Sequence, residues 1–274
     1  MQLAPDDTVV VAGNGPSLSD MSPGTVLADD VIIRTNSFFF EPSLFLGQRV
    51  DLAMMGGDSR VAPFVFETLW RCRHDYDLRH WSSHNPRVAR AGFRRFKGRY
   101  VPMPPLEDEM DAHVKALCAS YDRELTTGVQ AVLMAYGLGA RRIILVGFDL
   151  YTGASGRYTY APGPHYRDLM GTDIGVRGVD HVLHDTDLDR AVLALLNEKD
   201  DTTILAGTPS PALRDILDPA PLRKGPGPRQ IPREAPPDWA AWAGIYPIGL
   251  MKLLRRGSAL SRRITGRSIG RGTS

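Results

Sequence analysis

A chain of 274 residues can bury one good core and is too short for two large domains. Hydrophobic residues at 43%, charged residues at 23% and a net charge of +2 describe an ordinary globular chain and exclude the strongly basic profile of a nucleic-acid binder. The charge is nevertheless uneven: no acidic residue follows Asp238, whereas Lys252, Arg255, Arg256, Arg262, Arg263, Arg267 and Arg271 do. Cys72 and Cys118 stand far apart in no metal-ligand spacing, so reduced thiols in a cytoplasmic protein are the simplest reading, with a single disulfide as the alternative. Residues 1–7 carry neither a basic region nor an apolar stretch, and no signal peptide is expected. No apolar run reaches the roughly 20 residues of a membrane-spanning helix.

The first predicted element is the most informative. Val9, Val10 and Val11 make a short buried strand over 8–12 that ends abruptly in Gly13-Asn14-Gly15-Pro16. Glycines there let the backbone turn sharply and approach a ligand with no Cβ in the way, and Asn14 adds an amide that donates and accepts. The spacing falls short of the full G-x-G-x-x-G fingerprint, so it gains weight only from motifs further along the chain. Further unalternating apolar runs at 30–34, 50–55, 142–147 and 202–206 read as strands covered on both faces of a parallel sheet. Helical patterns lie between them, best at 127–138 and 188–198. The alternation predicts a doubly wound, Rossmann-like α/β fold, in which ligands bind at the carboxyl ends of the strands. Residues 152–183 are rich in Gly, Tyr and His with little periodicity and read as a lid. Residues 217–238 hold seven prolines and read as a linker between a domain over 1–216 and a tail over 239–274.

Chemistry-bearing residues cluster at the ends of those strands. Arg34-Thr35-Asn36 closes the second strand ahead of Phe38, Phe39 and Phe40. Thr126-Thr127-Gly128 opens the helix before the 142–147 strand. A hydroxyl at a helix start ordinarily caps it, and the same hydroxyls and N–H groups can hold a phosphate or ribose. Asp149 and Tyr151 fall just past a buried strand, with Tyr158 and Tyr160 a few residues on. His181 and His184 precede the last clear helix. A histidine beside such a crevice suits a general base toward a hydroxyl, since its pKa lies near neutrality; a metal pair and a capping role are the alternatives. Asp185, Asp187 and Asp189 spell Asp-x-Asp twice, but at a helix start, where acids favour the macrodipole.

Taken in order, these clusters resemble the bacterial sialyltransferases of glycosyltransferase family 42. The matching stretches are Gly13-Asn14-Gly15-Pro16-Ser17-Leu18, then Arg34-Thr35-Asn36-Ser37-Phe38-Phe39-Phe40-Glu41, and Phe45-Leu46-Gly47. Thr126-Thr127-Gly128-Val129, the run from Leu138 through Tyr151 and a histidine ahead of a helix complete the set, which spans about residues 8–210. The resemblance implies a GT-A-variant scaffold and inverting transfer of a sialic-acid-like sugar from its CMP ester, without a metal. It assigns the nucleotide to Asn14, Gly15, Asn36 and the Thr126-Thr127-Gly128 loop, and Asp149 joins them by its place at a strand end. It makes Tyr151 and Tyr158, with Tyr160 as a fallback, hydrogen-bond donors to the departing phosphate, and His184 rather than His181 the base. Such phenols stabilise the charge gathering on the leaving phosphate.

Two positions depart from the family pattern: Gly56 stands where an asparagine is expected, and Glu124 where an arginine is. They leave open another donor, CMP-Kdo or a further nonulosonic acid, or a catalytically silent nucleotide-binding subunit of envelope assembly. The family also implies a cell-surface lipooligosaccharide acceptor and a possible homotetramer. In the tail, Trp239, Trp242, Ile245, Tyr246, Ile248, Leu250, Met251, Leu253 and Leu254 precede the arginines. That order predicts an interfacial segment on an anionic leaflet, where each basic residue contributes about 1 kcal/mol, and the resemblance implies the inner membrane's cytoplasmic face. A basic end with a small hydrophobic clasp is the alternative.

Overall fold

A computed structural model describes residues 1–150, 163–170, 183–199, 201–244 and 246–265. In chain order, the first half contributes strands β1 (Thr8–Ala12), β2 (Val31–Thr35) and β3 (Arg49–Met54), helix α1 (Ala62–Arg71), strand β4 (Asp77–Ser82) and helices α2 (Pro86–Phe96) and α3 (Asp108–Tyr121). The second half adds α4 (Thr127–Gly137), β5 (Arg142–Val146), α5 (Pro164–Met170), α6 (Thr186–Asn197), β6 (Thr203–Ala206) and α7 (Ile248–Thr265). The strands form one six-stranded sheet in the order β4-β3-β2-β1-β5-β6, and every pairing is parallel. From β1 the chain winds outward through β2, β3 and β4, then crosses back to lay β5 on the other side of β1. The direction of winding therefore reverses between β1 and β5, the place where open α/β sheets bind ligands.

The apolar runs form strands because both faces of this sheet are covered. Val9 and Val11 of β1 and Ile143 and Leu145 of β5 pack with Val129 and Val132 of α4 and Leu188 and Val192 of α6. The alternate residues Val10, Ala12, Ile144 and Val146 meet Leu18, Val26 and Leu46 on the opposite face. A third cluster joins α1, α2 and β4 to the three phenylalanines, and it also takes in Trp239, Ile248 and Met251 from the tail. Strand β4 escapes the apolar-run rule for a physical reason. It lies at the sheet edge, where Asp77 and Arg79 stay exposed while Leu78, Trp81 and Ser82 are buried.

The segment 217–238, read from its prolines as a linker, lies as a strap along the domain. At its start Ala206 N donates to Asp218 O and Ala220 N to Ala206 O; further on Arg223 N donates to Gly24 O, Ala28 N to Pro226 O, Leu44 N to Ile231 O and Arg233 N to Pro42 O. Proline suits such a strap because its fixed φ lowers the entropy lost on ordering. Two arginines pin it: Arg223 pairs with Asp30 at 2.5 Å, and Arg233 pairs with Asp75.

Arg233 also reaches the buried core of the second-strand motif. Arg34 and Glu41 are both fully buried and paired at 2.7 Å. Tyr76 donates to Glu41 Oε1 at 3.0 Å, Arg233 Nη1 donates to the Tyr76 hydroxyl at 3.0 Å, and the Arg34 guanidinium lies over the Phe38 ring. This network spends the Arg34 side chain on folding the turn that displays Asn36. Removing one member of a buried pair strands the other charge, at about 3–5 kcal/mol. Glu41→Ala is therefore expected to lower the unfolding free energy by about 3 kcal/mol or more, read by urea titration; a loss below about 1 kcal/mol would show that the pair is dispensable.

Candidate active site

The crevice begins where β1 and β5 end. Gly13 N donates to Val146 O and Gly15 N to Gly147 O, both at 2.9 Å, so the two strand-end turns are stitched together. A Cβ at Gly13 would collide with the Gly147 carbonyl oxygen, and Gly147 itself has φ +66, so this approach requires glycine on both sides. Thr208, past β6, closes the back: its Oγ1 accepts from Gly147 N at 3.0 Å and bonds Ser17 Oγ at 2.9 Å. Asp149 Oδ2 accepts from Ser17 N at 3.0 Å. Burial pushes the Asp149 carboxyl up, and the bonds from Ser17 pull it back toward the charged form.

Two asparagines line the next strand ends. Asn14 Nδ2 donates to Thr35 O at 2.9 Å, tying the first turn to the end of β2. Asn36 adopts a left-handed φ of +42, a conformation asparagine tolerates better than most residues, and its Oδ1 accepts from Gly56 N at 2.8 Å. Gly56 explains its own departure from the family pattern. A Cβ there would collide with the Thr127 hydroxyl oxygen and lie 3.0 Å from Cε1 of His84, so the room for an asparagine is already filled. His84 lies just past β4, and its Nδ1 is buried without a hydrogen-bond partner among the described residues. Burial, with His184 adding to it, holds the His84 imidazole below its usual range and hence neutral.

Thr126 stands at the N-cap of α4, but its side chain does not cap the helix. Its Oγ1 donates to Asp189 Oδ2 at 2.6 Å, and its N–H donates to Asp189 Oδ1 at 3.1 Å. The amides of the first turn after it have no intrahelical partners, and they present the positive end of the helix dipole. Two residues before Thr126, the backbone of Glu124 holds the head of α6: Glu124 N donates to Leu183 O at 2.8 Å, and the Glu124 carbonyl lies 2.8 Å from His184 Nδ1. A carbonyl only accepts, so Nδ1 carries the proton and Nε2 is the basic nitrogen of the neutral ring. At this position it is the backbone, rather than the unexpected carboxylate, that shapes the site.

Two of the three Asp-x-Asp residues have side-chain partners in the fold. Asp185 Oδ1 caps α6 by accepting from Asp187 N at 2.8 Å, and Asp189 is buried on Thr126. Among the described residues no three His, Cys, Asp or Glu side chains gather as a metal would need. Both cysteines are free thiols. Tyr151, Tyr158, Tyr160 and His181 lie outside the described residues. Sequence reasoning missed His84, because it hangs on the unrecognised β4. It read Asp189 only as part of an acidic spelling. The available signal was a histidine just past the half-polar run Leu78-Arg79-His80-Trp81.

The tail is partly docked. Trp239, Ile248 and Met251 are buried, Lys252 pairs with Asp168 at 2.7 Å and Arg255 pairs with Asp58. Trp242, Leu250, Leu253 and Leu254 remain exposed. No helix among the described residues is long and apolar enough to cross a membrane.

Fold and crevice together define a Rossmann-like, doubly wound α/β protein with its candidate site at the β1/β5 switch. No protein-family model and no curated protein sequence matches the chain. Among solved structures it is similar to Cst-I, a monofunctional alpha-2,3-sialyltransferase of Campylobacter jejuni, at 18% identity and a TM-score of 0.75, over 96% of this chain and 98% of that one. It is likewise similar to the sialyltransferase CstII of the same organism in complex with CMP-3FNeuAc, at 19% identity and a TM-score of 0.69, over 85% and 94% of the two chains. The chain thus has the fold of the Campylobacter sialyltransferases, the family-42 scaffold its motifs resemble.

Filling the space over Gly56 should be costly. Gly56→Ala is expected to displace Thr127, lower Tm and cost about 1–3 kcal/mol of stability, the usual range for overpacking. An unchanged Tm by calorimetry would show that Thr127 and His84 yield freely.

Proposed function

We propose that the protein is an inverting glycosyltransferase that moves sialic acid or a related sugar from its CMP ester to a hydroxyl of a glycolipid oligosaccharide. The observation that carries this reading is the placement of His184. Its Nδ1 is engaged by the Glu124 carbonyl at 2.8 Å, two residues ahead of the α4 N-cap, so Nε2 is set to take a proton beside a phosphate-type binding site. Similarity to CstII structures in complex with CMP, and with a trisaccharide acceptor and CMP, supports a CMP donor and an oligosaccharide acceptor.

In this reading the nucleotide lies over Asn14 and Gly15, against Asn36 and Asp149, with its phosphate at Thr126, Thr127 and Gly128. Helix-end amides receive the phosphate without reorganising. Tyr151 and Tyr158 donate to the leaving phosphate as the glycosidic C–O bond breaks. The electron pair of that bond stays on CMP, the acceptor oxygen attacks from the opposite face, and His184 Nε2 takes its proton. Fixed phenols and amides supply the charge stabilisation, so the proposed mechanism uses no metal.

Incubation with CMP-sialic acid and a galactose-terminated acceptor tests it. Transfer with inverted anomeric configuration is expected, and a panel including CMP-Kdo identifies the preferred donor. His184→Ala should reduce kcat about 10²–10⁴-fold while CMP still raises Tm. Full turnover by that variant would remove His184 as base. No turnover with any CMP-sugar by a protein that binds CMP would establish the silent-subunit alternative.

We further infer that the exposed face of the tail meets an anionic membrane surface. Trp242, Leu250, Leu253 and Leu254 share it, with Arg256 close by and the remaining arginines downstream. Deleting 239–274 is a poor test, because it also strips Trp239, Ile248 and Met251 from the core. Replacing Leu250, Leu253 and Leu254 with serine is expected to abolish co-sedimentation with anionic vesicles at unchanged Tm. Retained sedimentation would refute the contact.

A further inference from the structure

Asp189 is 1% exposed, and both of its carboxylate oxygens are spent on one residue, Thr126. Thr126 belongs to α4 and Asp189 to α6, 63 residues later. The same two segments are joined again by the Glu124–Leu183 and Glu124–His184 bonds, and Thr186 Oγ1 donates to Leu150 O at 3.3 Å beside β5. The helix start that would take the donor phosphate and the histidine that would take the acceptor proton are therefore clamped by one short ladder. Asp189 is its only described side chain that bonds α4 through two atoms. We propose that Asp189 is a positioning residue, holding the first turn of α4 in register with His184 and setting which way the Thr126 hydroxyl points; this rests on the nucleotide-transferase reading of the site.

The orientation follows from hydrogen-bond accounting. An ionised Asp189 only accepts, so the Thr126 O–H must turn to it, and the hydroxyl then offers lone pairs to any neighbour. A protonated Asp189 donates to Thr126 Oγ1 and still accepts from Thr126 N–H. That releases the hydroxyl proton toward an anionic ligand. Burial raises the Asp189 carboxyl to about 7, the two Thr126 bonds opposing and Asp185 assisting. The titratable groups facing it are Asp185 at the head of α6 and Cys118 of α3, with Glu124 beyond Cys118. Both orientations are thus populated near neutral pH.

Asp189→Asn imitates the protonated form permanently, because its amide donates to Thr126 Oγ1 while its carbonyl accepts from Thr126 N–H. Thr126→Val removes the hydroxyl and keeps the N–H. Affinities for CMP-3FNeuAc, whose phosphodiester does not titrate near neutrality, are to be measured by calorimetry from pH 5.5 to 8.5 for the native protein and both variants. The native protein is expected to bind roughly tenfold more tightly below pH 7 than at pH 8.5. Asp189→Asn should bind at the tight level throughout, and Thr126→Val at the weak level throughout. A purely structural aspartate would weaken both variants alike. Unfolding measurements give a ligand-free check. A carboxyl raised in the folded state makes the native protein lose stability, relative to Asp189→Asn, as pH rises from about 4 through about 7. Equal, pH-parallel affinities in all three proteins, or no such difference in stability, would overturn the proposal. Absence of binding by every protein at every pH would instead overturn the nucleotide reading on which it stands.

Discussion

The site exists because two backbone turns come closer than side chains permit. The contact of Gly13 with Gly147, stitched by bonds from Gly13 N to Val146 O and Gly15 N to Gly147 O, closes the end of the crevice between β1 and β5. Ser17, Asp149 and Thr208 are fixed relative to that contact, and Asn14 carries it on to β2 through Thr35. A parallel sheet supplies the platform, since its interior strands are covered on both faces. The glycine contact and the sheet are thus one constraint seen at two scales.

The interior of the fold was legible in the sequence because burial on both faces leaves an unmistakable apolar run, as in Val9-Val10-Val11 and Ile143-Ile144-Leu145-Val146. The first glycine turn was legible for a related reason: a sharp stop after such a run has few explanations other than a strand end. The edge strand β4 was not, since Arg79 and His80 look like loop residues until the neighbouring strand is known. His84 was lost with it. Asp189 was hidden by long-range pairing, because nothing local distinguishes it from the acids that favour a helix start. Gly56 and Glu124 looked like defects in the site. Gly56 leaves room for Thr127 and His84, and Glu124 acts through a carbonyl that any residue would provide.

The proline-rich strap shows how composition can mislead. High proline content lowers the entropy of the free chain, and a pre-stiffened segment is as well suited to being pinned as to bridging. What decides is the presence of anchors, and here they are Arg223 on Asp30 and Arg233 on Asp75. Arg233 further joins the Tyr76–Glu41–Arg34 network, so the last third of the chain contributes directly to the turn that carries Asn36. The scaffold of the candidate site is not complete at the final strand.

Helix α5 lies inside the segment whose tyrosines are candidates for the departing phosphate, and several of its links run to the tail. Asp238 accepts from His165 N at 2.6 Å, Tyr166 meets the Trp239 ring edge-on at 5.2 Å, and Lys252 pairs with Asp168 at 2.7 Å. A force applied to the carboxyl terminus is consequently transmitted to α5 through a few short links. The same helix that carries the exposed leucines is therefore mechanically coupled to α5.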